Sequence, residues 1–119
     1  MSVDTKIPAD ERVAIAYEMT DHYNRQDVDA YVGLMTDDAC EALYRGAVLR
    51  EGREGIRTGL SAIFAQYPQN RAEILGTTCV GETVLLYEQV TREPGGEAFE
   101  TVSIYSFHGD RVSRVEFVR

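Results

Sequence analysis

Four segments with alternating apolar and polar residues follow one another in the C-terminal part of the chain. They span residues 72–80, 83–92, 98–107 and 111–118. A period of two is typical of strands that bury one face. The connections between the segments contain glycine and are short, so consecutive strands should pair antiparallel. The sequence therefore predicts an antiparallel meander.

The N-terminal part of the chain shows helical spacing instead. Apolar residues recur at three- and four-residue steps over residues 8–25, which predicts a first helix. Asp27 is a candidate N-cap of a short second helix, and residues 52–66 return to helical spacing until Pro68 ends it. Three helices are therefore expected.

A strand pair is expected between the second and third helices. The run 36–38 is turn-prone, and strand signals follow at 39–44 and 47–49. Helices first and strands last, without strand–helix–strand alternation, favour an α+β fold in which a curved sheet wraps around the helices. At 119 residues, the chain 1–119 is expected to form a single domain with one core.

Charge and composition exclude several classes of function. The formal net charge is −8, so the average field of the protein repels nucleic acids and anionic lipid surfaces. No apolar run is long enough to span a membrane and no signal-peptide pattern is present, so we expect a cytoplasmic protein. No spacing of His, Cys or carboxylates resembles a metal site, and no Gly-rich phosphate loop occurs, so no metal and no cofactor are expected.

Four short segments carry a resemblance to a known family. In chain order they are residues 23–30 (YNRQDVDA), 34–39 (LMTDDA), 50–56 (REGREGI) and 107–112 (FHGDRV). They resemble landmarks of the nuclear transport factor 2-like superfamily, in its SnoaL-like and steroid isomerase-like branches. The resemblance implies a cystatin-like cone, in which a curved antiparallel sheet wraps around three helices from the N-terminal half.

The resemblance also implies a class of ligand and two alternative functions. Members of this superfamily include isomerases and cyclases, which suggests a cofactor-independent enzyme acting on a small apolar molecule that bears a carbonyl group. The positions that match the steroid isomerase residues are Met19, Leu43 and Ser103, and none of the three keeps the isomerase side chain. Standard steroid isomerase chemistry is therefore disfavoured. The alternative is a non-catalytic module for ligand binding or dimerisation.

Glu41 is the first candidate catalytic residue. It shares a strand face with Ala39 and Leu43, and the resemblance implies that this face points into the pocket. Glu41 lies two residues before the position that matches the isomerase base, so a longer side chain could replace a shorter one. The other interpretation places Glu41 at the rim of the pocket or on a solvated edge.

Glu88 is the second candidate, because it interrupts the aliphatic strand face of Val84, Leu86 and Val90. A carboxylate in such surroundings needs a partner or a raised pKa. It either serves the pocket, where it could share a proton with Glu41, or forms a structural ion pair with an arginine such as Arg114.

Tyr23 completes the predicted catalytic group, because it lies one helical turn after the matched position Met19 and could donate to a substrate oxygen. His22 and His108 lie in polar stretches and are expected at the surface. The remaining residues expected to contact substrate come from the inward faces of the first helix and the strands: Met19, Leu43, Leu86, Thr101, Ser103 and Val115.

The outward strand faces mix apolar and polar side chains, as Tyr87, Gln89 and Thr91 illustrate. The resemblance implies that this sheet surface pairs two subunits, and a short chain benefits from the added burial. A homodimer is therefore expected.

Overall fold

The computed structural model describes residues 7–119, which form three helices and six strands. The α+β class expected from the sequence is confirmed. In chain order the elements are α1 (Ala9–Asn24), α2 (Val28–Gly33), β1 (Met35–Leu43), β2 (Val48–Glu51), α3 (Gly52–Gln66), β3 (Arg71–Val80), β4 (Thr83–Thr91), β5 (Ala98–His108) and β6 (Arg111–Val118).

The six strands form one curved sheet in the order β2-β1-β6-β5-β4-β3. Strands β3 to β6 pair antiparallel with their neighbours in sequence, which confirms the predicted meander. The sheet is completed by a parallel pairing between β1 and β6, in which Glu41 lies opposite Val115. This pairing joins the first strand of the chain to the last one and places the β1–β2 hairpin at one edge of the sheet.

Strand β1 begins at Met35, four residues earlier than the sequence pattern indicated. The run 36–38, expected as a turn, is part of the strand, so that expectation was wrong. In the pairing with β6, Met35 lies opposite Val112, and the next paired residues are Cys40 and Arg114. Between these two pairs, β1 advances by five residues and β6 by only two. The extra residues form a bulge that leaves Asp37 exposed, and a bulge accommodates turn-prone residues without ending a strand.

The concave face of the sheet holds the core. In β4, Val84, Leu86, Glu88 and Val90 are buried while Tyr87 is exposed, as the alternation predicts. The helices cover this face with side chains that are fully buried, including those of Met19 on α1 and Ile56 on α3. The polar side chain of Glu88 therefore points to the same side of the sheet as the core.

Two side chains fix the end of α1 and the start of α2. Asp27 caps α2 by accepting a hydrogen bond from the Ala30 amide, as the sequence predicts. The side-chain amide of Asn24 donates to the Ala72 carbonyl and accepts from the Ala72 N–H, at 2.9 and 2.8 Å. These bonds tie the last turn of α1 to β3 and hold Tyr23 against the concave face. Over residues 7–119, no helix combines the length and apolar character that a membrane crossing requires.

Candidate functional site

The candidate site is a cavity between the concave face of the sheet, the last turns of α1 and the middle of α3. It encloses about 580 Å³ of empty space when its open mouth is included. Its walls combine aromatic and aliphatic side chains with a few charged groups, which is typical of small-molecule sites. The lining residues relevant below are Tyr23, Tyr31, Glu41, Arg50, Glu88, Arg92, Phe99, Thr101, Ser103, Tyr105, Phe117 and Arg119.

The cavity contains five of the nine predicted site residues: Tyr23, Glu41, Glu88, Thr101 and Ser103. The other four do not line it. Met19, Leu86 and Val115 are fully buried in the hydrophobic core, where helix and sheet side chains close over them. Leu43 is half-buried at the last position of β1. Their inward direction was predicted, but the core, and not the cavity, occupies that part of the concave face.

Glu41 is fully buried, and both of its carboxylate oxygens accept hydrogen bonds. Arg50 Nε donates to Oε1 at 2.6 Å, and the Tyr31 hydroxyl donates to Oε2 at 2.7 Å. Arg50 lies directly opposite Glu41 in the β1–β2 pairing, so their side chains share a face of the sheet. The carboxylate is thus neither at the rim nor solvated, and its charge is compensated by a guanidinium group.

A glycine on α3 makes room for this ion pair. A methyl group at Gly59 would lie too close to the Cδ and Cγ atoms of the Arg50 side chain. The Arg50 side chain therefore passes directly over the helix backbone on its way to Glu41. Glycine costs stability in the interior of a helix, and here the close approach explains why the position has no side chain.

Glu88 has a different environment. As a whole residue Glu88 is 5% exposed, and the Ser103 hydroxyl on the neighbouring strand β5 donates to its Oε1 at 2.5 Å. Burial raises the pKa of Glu88, and the Ser103 hydrogen bond offsets only part of that effect. Arg114, offered above as a structural partner, instead donates to the Cys40 sulfur at 3.1 Å and lies 3.6 Å from Glu116. The ion pair with Arg114 was therefore wrong.

The hydrogen bonds of the two carboxylates do not join them to each other. Strand pairing aligns Glu41 with Val115, Tyr105 and Val84, so Glu88 lies three strands away and four residues further along β4. On a flat sheet, three strand spacings across the sheet and four residues along a strand would each correspond to about 13–14 Å. Each carboxylate also has its own donors. The structure thus separates the shared-proton pair suggested by the sequence into two independent sites on one cavity wall.

A hydrogen-bonded chain leads from Arg92 to Tyr23. Arg92 Nη1 donates to Asn70 Oδ1 at 2.8 Å, and Asn70 Nδ2 donates to the Tyr23 hydroxyl at 2.8 Å. Because arginine can only donate, the Asn70 amide has one orientation that satisfies both bonds. The Tyr23 oxygen therefore acts as acceptor in this chain, which leaves its own proton free to point into the cavity. A cation at the start of the chain polarises that proton.

Two further phenols lie on the cavity wall, Tyr31 and Tyr105. Burial raises the pKa of Tyr31 well above its ordinary value, and the charge of Glu41 raises it further. Burial likewise raises the pKa of Tyr105 well above its ordinary value, with a further contribution from Glu88. Both phenols therefore stay protonated at neutral pH and can only act as hydrogen-bonding groups.

Sequence reasoning missed Arg50, Asn70, Arg92 and Arg119. Asn70 follows the turn residue Pro68, and Arg92 ends a strand, so both positions fit ordinary loops. Only strand pairing and sheet curvature bring them to the cavity. Among residues 7–119, no three His, Cys, Asp or Glu side chains cluster as metal ligands. His22 is half-buried beside Glu18, and His108 is exposed, as expected, at the end of β5.

Replacing Glu41 by glutamine should destabilise the protein, because Arg50 would keep a buried charge without its counter-charge. We expect Glu41→Gln to lower the free energy of unfolding by about 3 kcal/mol, at the lower end for broken buried pairs, since Arg50 keeps some solvent contact. Urea unfolding measures this. Asp37→Asn on the same strand, which breaks the exposed pair with Arg53, should cost less than about 1 kcal/mol. Equal losses would contradict the assignment.

Replacing Glu88 by glutamine should have an effect that depends on pH. Because the pKa of Glu88 is raised in the folded state, ionising this carboxyl costs stability as pH rises through the folded pKa. Glu88→Gln avoids that cost, so at pH 7.5 the variant should melt on the order of a few degrees above wild type. Near pH 4, where the wild-type carboxyl is also neutral, the difference should disappear.

Melting curves of wild type and Glu88→Gln across pH 4–8 measure this effect. Glu73→Gln, which removes an exposed carboxyl on β3, is the matched control. A Glu88→Gln protein that is less stable than wild type at pH 7.5 would show that Glu88 is held as a stabilising anion.

Comparison with known proteins relates this sequence and fold to a family. The family model described as a SnoaL-like domain matches residues 16–115. A crystal structure of an uncharacterised cystatin-fold protein from Novosphingobium aromaticivorans is 54% identical and superposes with a TM-score of 0.86, over 91% of this chain and 97% of that one. A comparison with curated proteins gives no match.

More distant structures show the same fold. A protein from Sinorhizobium meliloti, named a candidate polyketide cyclase, is 24% identical with a TM-score of 0.75, over 87% of this chain and 93% of that one. A protein from Kribbella flavida, named a candidate ketosteroid isomerase, is 18% identical with a TM-score of 0.79, over 92% and 78%. With most of its length matched by the family model, the chain belongs to the SnoaL-like family of the cystatin-like, nuclear transport factor 2-like fold.

Proposed function

We propose that the protein is a cofactor-independent enzyme of the isomerase or cyclase type, which binds a small apolar molecule bearing a carbonyl group and moves a proton with Glu88. The observation that carries the proposal is the environment of Glu88 in the cavity wall. Its carboxyl is buried, has a hydroxyl and not a cation as partner, and has a raised pKa. General acid–base catalysis favours a group whose pKa lies nearer the working pH.

Tyr23 supplies the second part of the chemistry in this proposal. Its hydroxyl accepts from Asn70 and keeps its own proton for a substrate carbonyl oxygen. The ionised Glu88 removes a proton from the carbon next to that carbonyl, and the C–H electron pair forms the enolate double bond. The negative charge then lies on the oxygen that Tyr23 faces. In an isomerase, Glu88 returns the proton to a second carbon. In a cyclase, the enolate carbon attacks a second carbonyl, and the alkoxide that forms takes the proton back from Glu88.

Glu41 has a positioning role in this proposal. Both of its oxygens are occupied by Arg50 and Tyr31, so a substrate proton has no free oxygen to reach. Its ion pair holds Arg50 at the cavity wall. The assignment of proton transfer to Glu88 alone follows from this difference between the two carboxylates.

A non-catalytic binding module is the second candidate. It is favoured by the side chains at the three positions that match the isomerase residues, since Met19 and Leu43 are apolar and Ser103 is a hydrogen-bond donor to Glu88. Such a module would hold the same ligand class in the cavity without proton exchange. The two candidates therefore differ in one measurable property.

Exchange of carbon-bound hydrogen for deuterium separates the two candidates. The probe is 2-tetralone, an apolar ketone with acidic hydrogens, followed by proton NMR in D₂O buffer. Wild type should accelerate exchange over buffer alone, and Glu88→Gln should lose about a hundredfold or more of that acceleration. Because the active form is the ionised carboxylate, the rate should rise with pH through a pKa above the usual glutamate range.

The control for this experiment is Glu73→Gln, which should exchange like wild type. Exchange that persists in Glu88→Gln would overturn the assignment of Glu88. Binding of 2-tetralone, detected by ligand NMR, without any accelerated exchange would overturn catalysis and favour the binding module.

The cytoplasmic location expected from the sequence stays a prediction. We further propose that the protein is a homodimer that pairs through the convex face of the sheet. Apolar side chains on that face support the pairing: Tyr87 is exposed and Val102, its strand neighbour, is half-buried. Light scattering should give a mass near twice 13.3 kDa. Val102→Lys should shift the protein towards monomer, whereas Ala14→Lys on the exposed side of α1 should not. A wild-type monomer at micromolar concentration would contradict the proposal.

A further inference from the structure

Two guanidinium groups lie side by side on the cavity wall. Arg92, just after β4, places its Cζ 5.1 Å from the centre of the Phe99 ring. Arg119, just after β6, places its Cζ 5.7 Å from the same ring and 5.6 Å from that of Phe117. Phe99 therefore contacts both cations. Stacking on aromatic rings leaves the edge of a guanidinium group, which carries its N–H donors, free for a ligand.

These two cations lack the compensation that Arg50 has. Arg50 is paired with Glu41, whereas within residues 7–119 neither Arg92 nor Arg119 forms an ion pair with a side-chain carboxylate. The hydrogen bond of Arg92 goes to the neutral amide of Asn70. Burial is the largest cause that lowers the pKa of Arg119, and the neighbouring charges of Arg92 and Arg50 lower it further. An acidic protein thus places two arginine side chains without a carboxylate partner at its cavity wall, and one of them, Arg119, is exposed.

The charges on the wall fit a monoanion better than a dianion. Counting side chains only, Glu41 and Arg50 cancel, which leaves two positive charges on the side chains of Arg92 and Arg119. One of these balances Glu88 when that carboxyl is ionised for proton abstraction. One further negative charge then makes the site neutral, whereas a dianion would leave an excess that disfavours ionisation of Glu88.

We propose that Arg92 and Arg119 bind the carboxylate of the substrate, which is an apolar carboxylic acid whose hydrophobic part extends into the cavity. Guanidinium groups bind carboxylates through two parallel hydrogen bonds, so this contact fixes orientation as well as affinity. The ring of Phe99 lies where the apolar part begins. The inference rests on the proposed function for the direction in which the substrate faces Glu88 and Tyr23, but the anion site itself needs no catalysis.

The test compares two ligands that differ only in charge. Calorimetry measures binding of 2-naphthoate and of its neutral analogue 2-naphthamide to wild type, Arg119→Gln and Arg92→Gln. Wild type should prefer the carboxylate by about tenfold or more, and each substitution should remove most of that preference. Arg119→Gln, which is outside the Asn70–Tyr23 chain, should leave naphthamide binding unchanged. Added salt should weaken only the binding of 2-naphthoate. Arg71→Gln, an exposed arginine on β3, is the matched control and should behave like wild type.

Arg119→Gln is the decisive variant, because Arg92 also polarises the Asn70–Tyr23 chain. Equal affinity of wild type for the two ligands, or an unchanged preference in folded Arg119→Gln, would overturn the inference. Melting curves establish that each variant is folded. Tighter binding of 2-naphthyl phosphate than of 2-naphthoate would overturn the assignment of a carboxylate in favour of a phosphate ligand.

The outcomes are separable from those of the exchange experiment. Neither naphthalene ligand has an exchangeable carbon-bound hydrogen next to a ketone, so their binding does not depend on Glu88 chemistry. A carboxylate preference without exchange of 2-tetralone would reject the enzyme and keep the anion site. Accelerated exchange of 2-tetralone without any preference for the carboxylate ligand would keep the enzyme and reject the anion site.

Discussion

A buried carboxylate at Glu41 constrains much of the N-terminal half of the structure. An isolated charge in that position would cost several kcal/mol, so the fold must bring a cation and further donors to it. The β2 strand supplies Arg50, α2 supplies Tyr31, and α3 gives up a side chain at Gly59 so that Arg50 can pass. One buried group thus links the four elements β1, β2, α2 and α3.

The cavity contrasts two ways of treating a buried acid. Glu41 is compensated by a cation and a phenol, whereas Glu88 has a single hydroxyl partner and keeps a raised pKa. A compensated acid is suited to positioning other groups, and an uncompensated one to exchanging a proton. The same distinction applies to the cations, since Arg50 is paired while Arg92 and Arg119 are stacked on rings.

Asn70, the residue just before β3, connects polar groups of the cavity wall. It is almost completely buried, and its amide passes the influence of Arg92 to the Tyr23 hydroxyl. The ring of Tyr23 packs against the rings of Phe64 and Tyr31. The hydrogen bond from Asn24, at the same end of α1, to the Ala72 carbonyl also holds this part of the helix in place. Helix and sheet therefore meet through a polar chain at the cavity wall.

The sequence by itself determined the elements and most of their faces. Period-two alternation located β4 and the inward direction of Glu88, and helical spacing located α3 from Gly52 to Gln66, because both signals depend on neighbours within one element. The exception was the run 36–38, where a bulge and a turn share the same residue preferences.

Only the tertiary structure decided which inward residues line the cavity and which fill the core. Met19 and Tyr23 lie one helical turn apart on α1, yet the first is in the core and the second is in the cavity. Arg50 opposite Glu41, and Arg92 with Arg119 around Phe99, depend on a bulged register and on the curvature of the sheet. These contacts cross from one strand to another, so they depend on strand register and sheet curvature, which the alternation within a single strand does not encode.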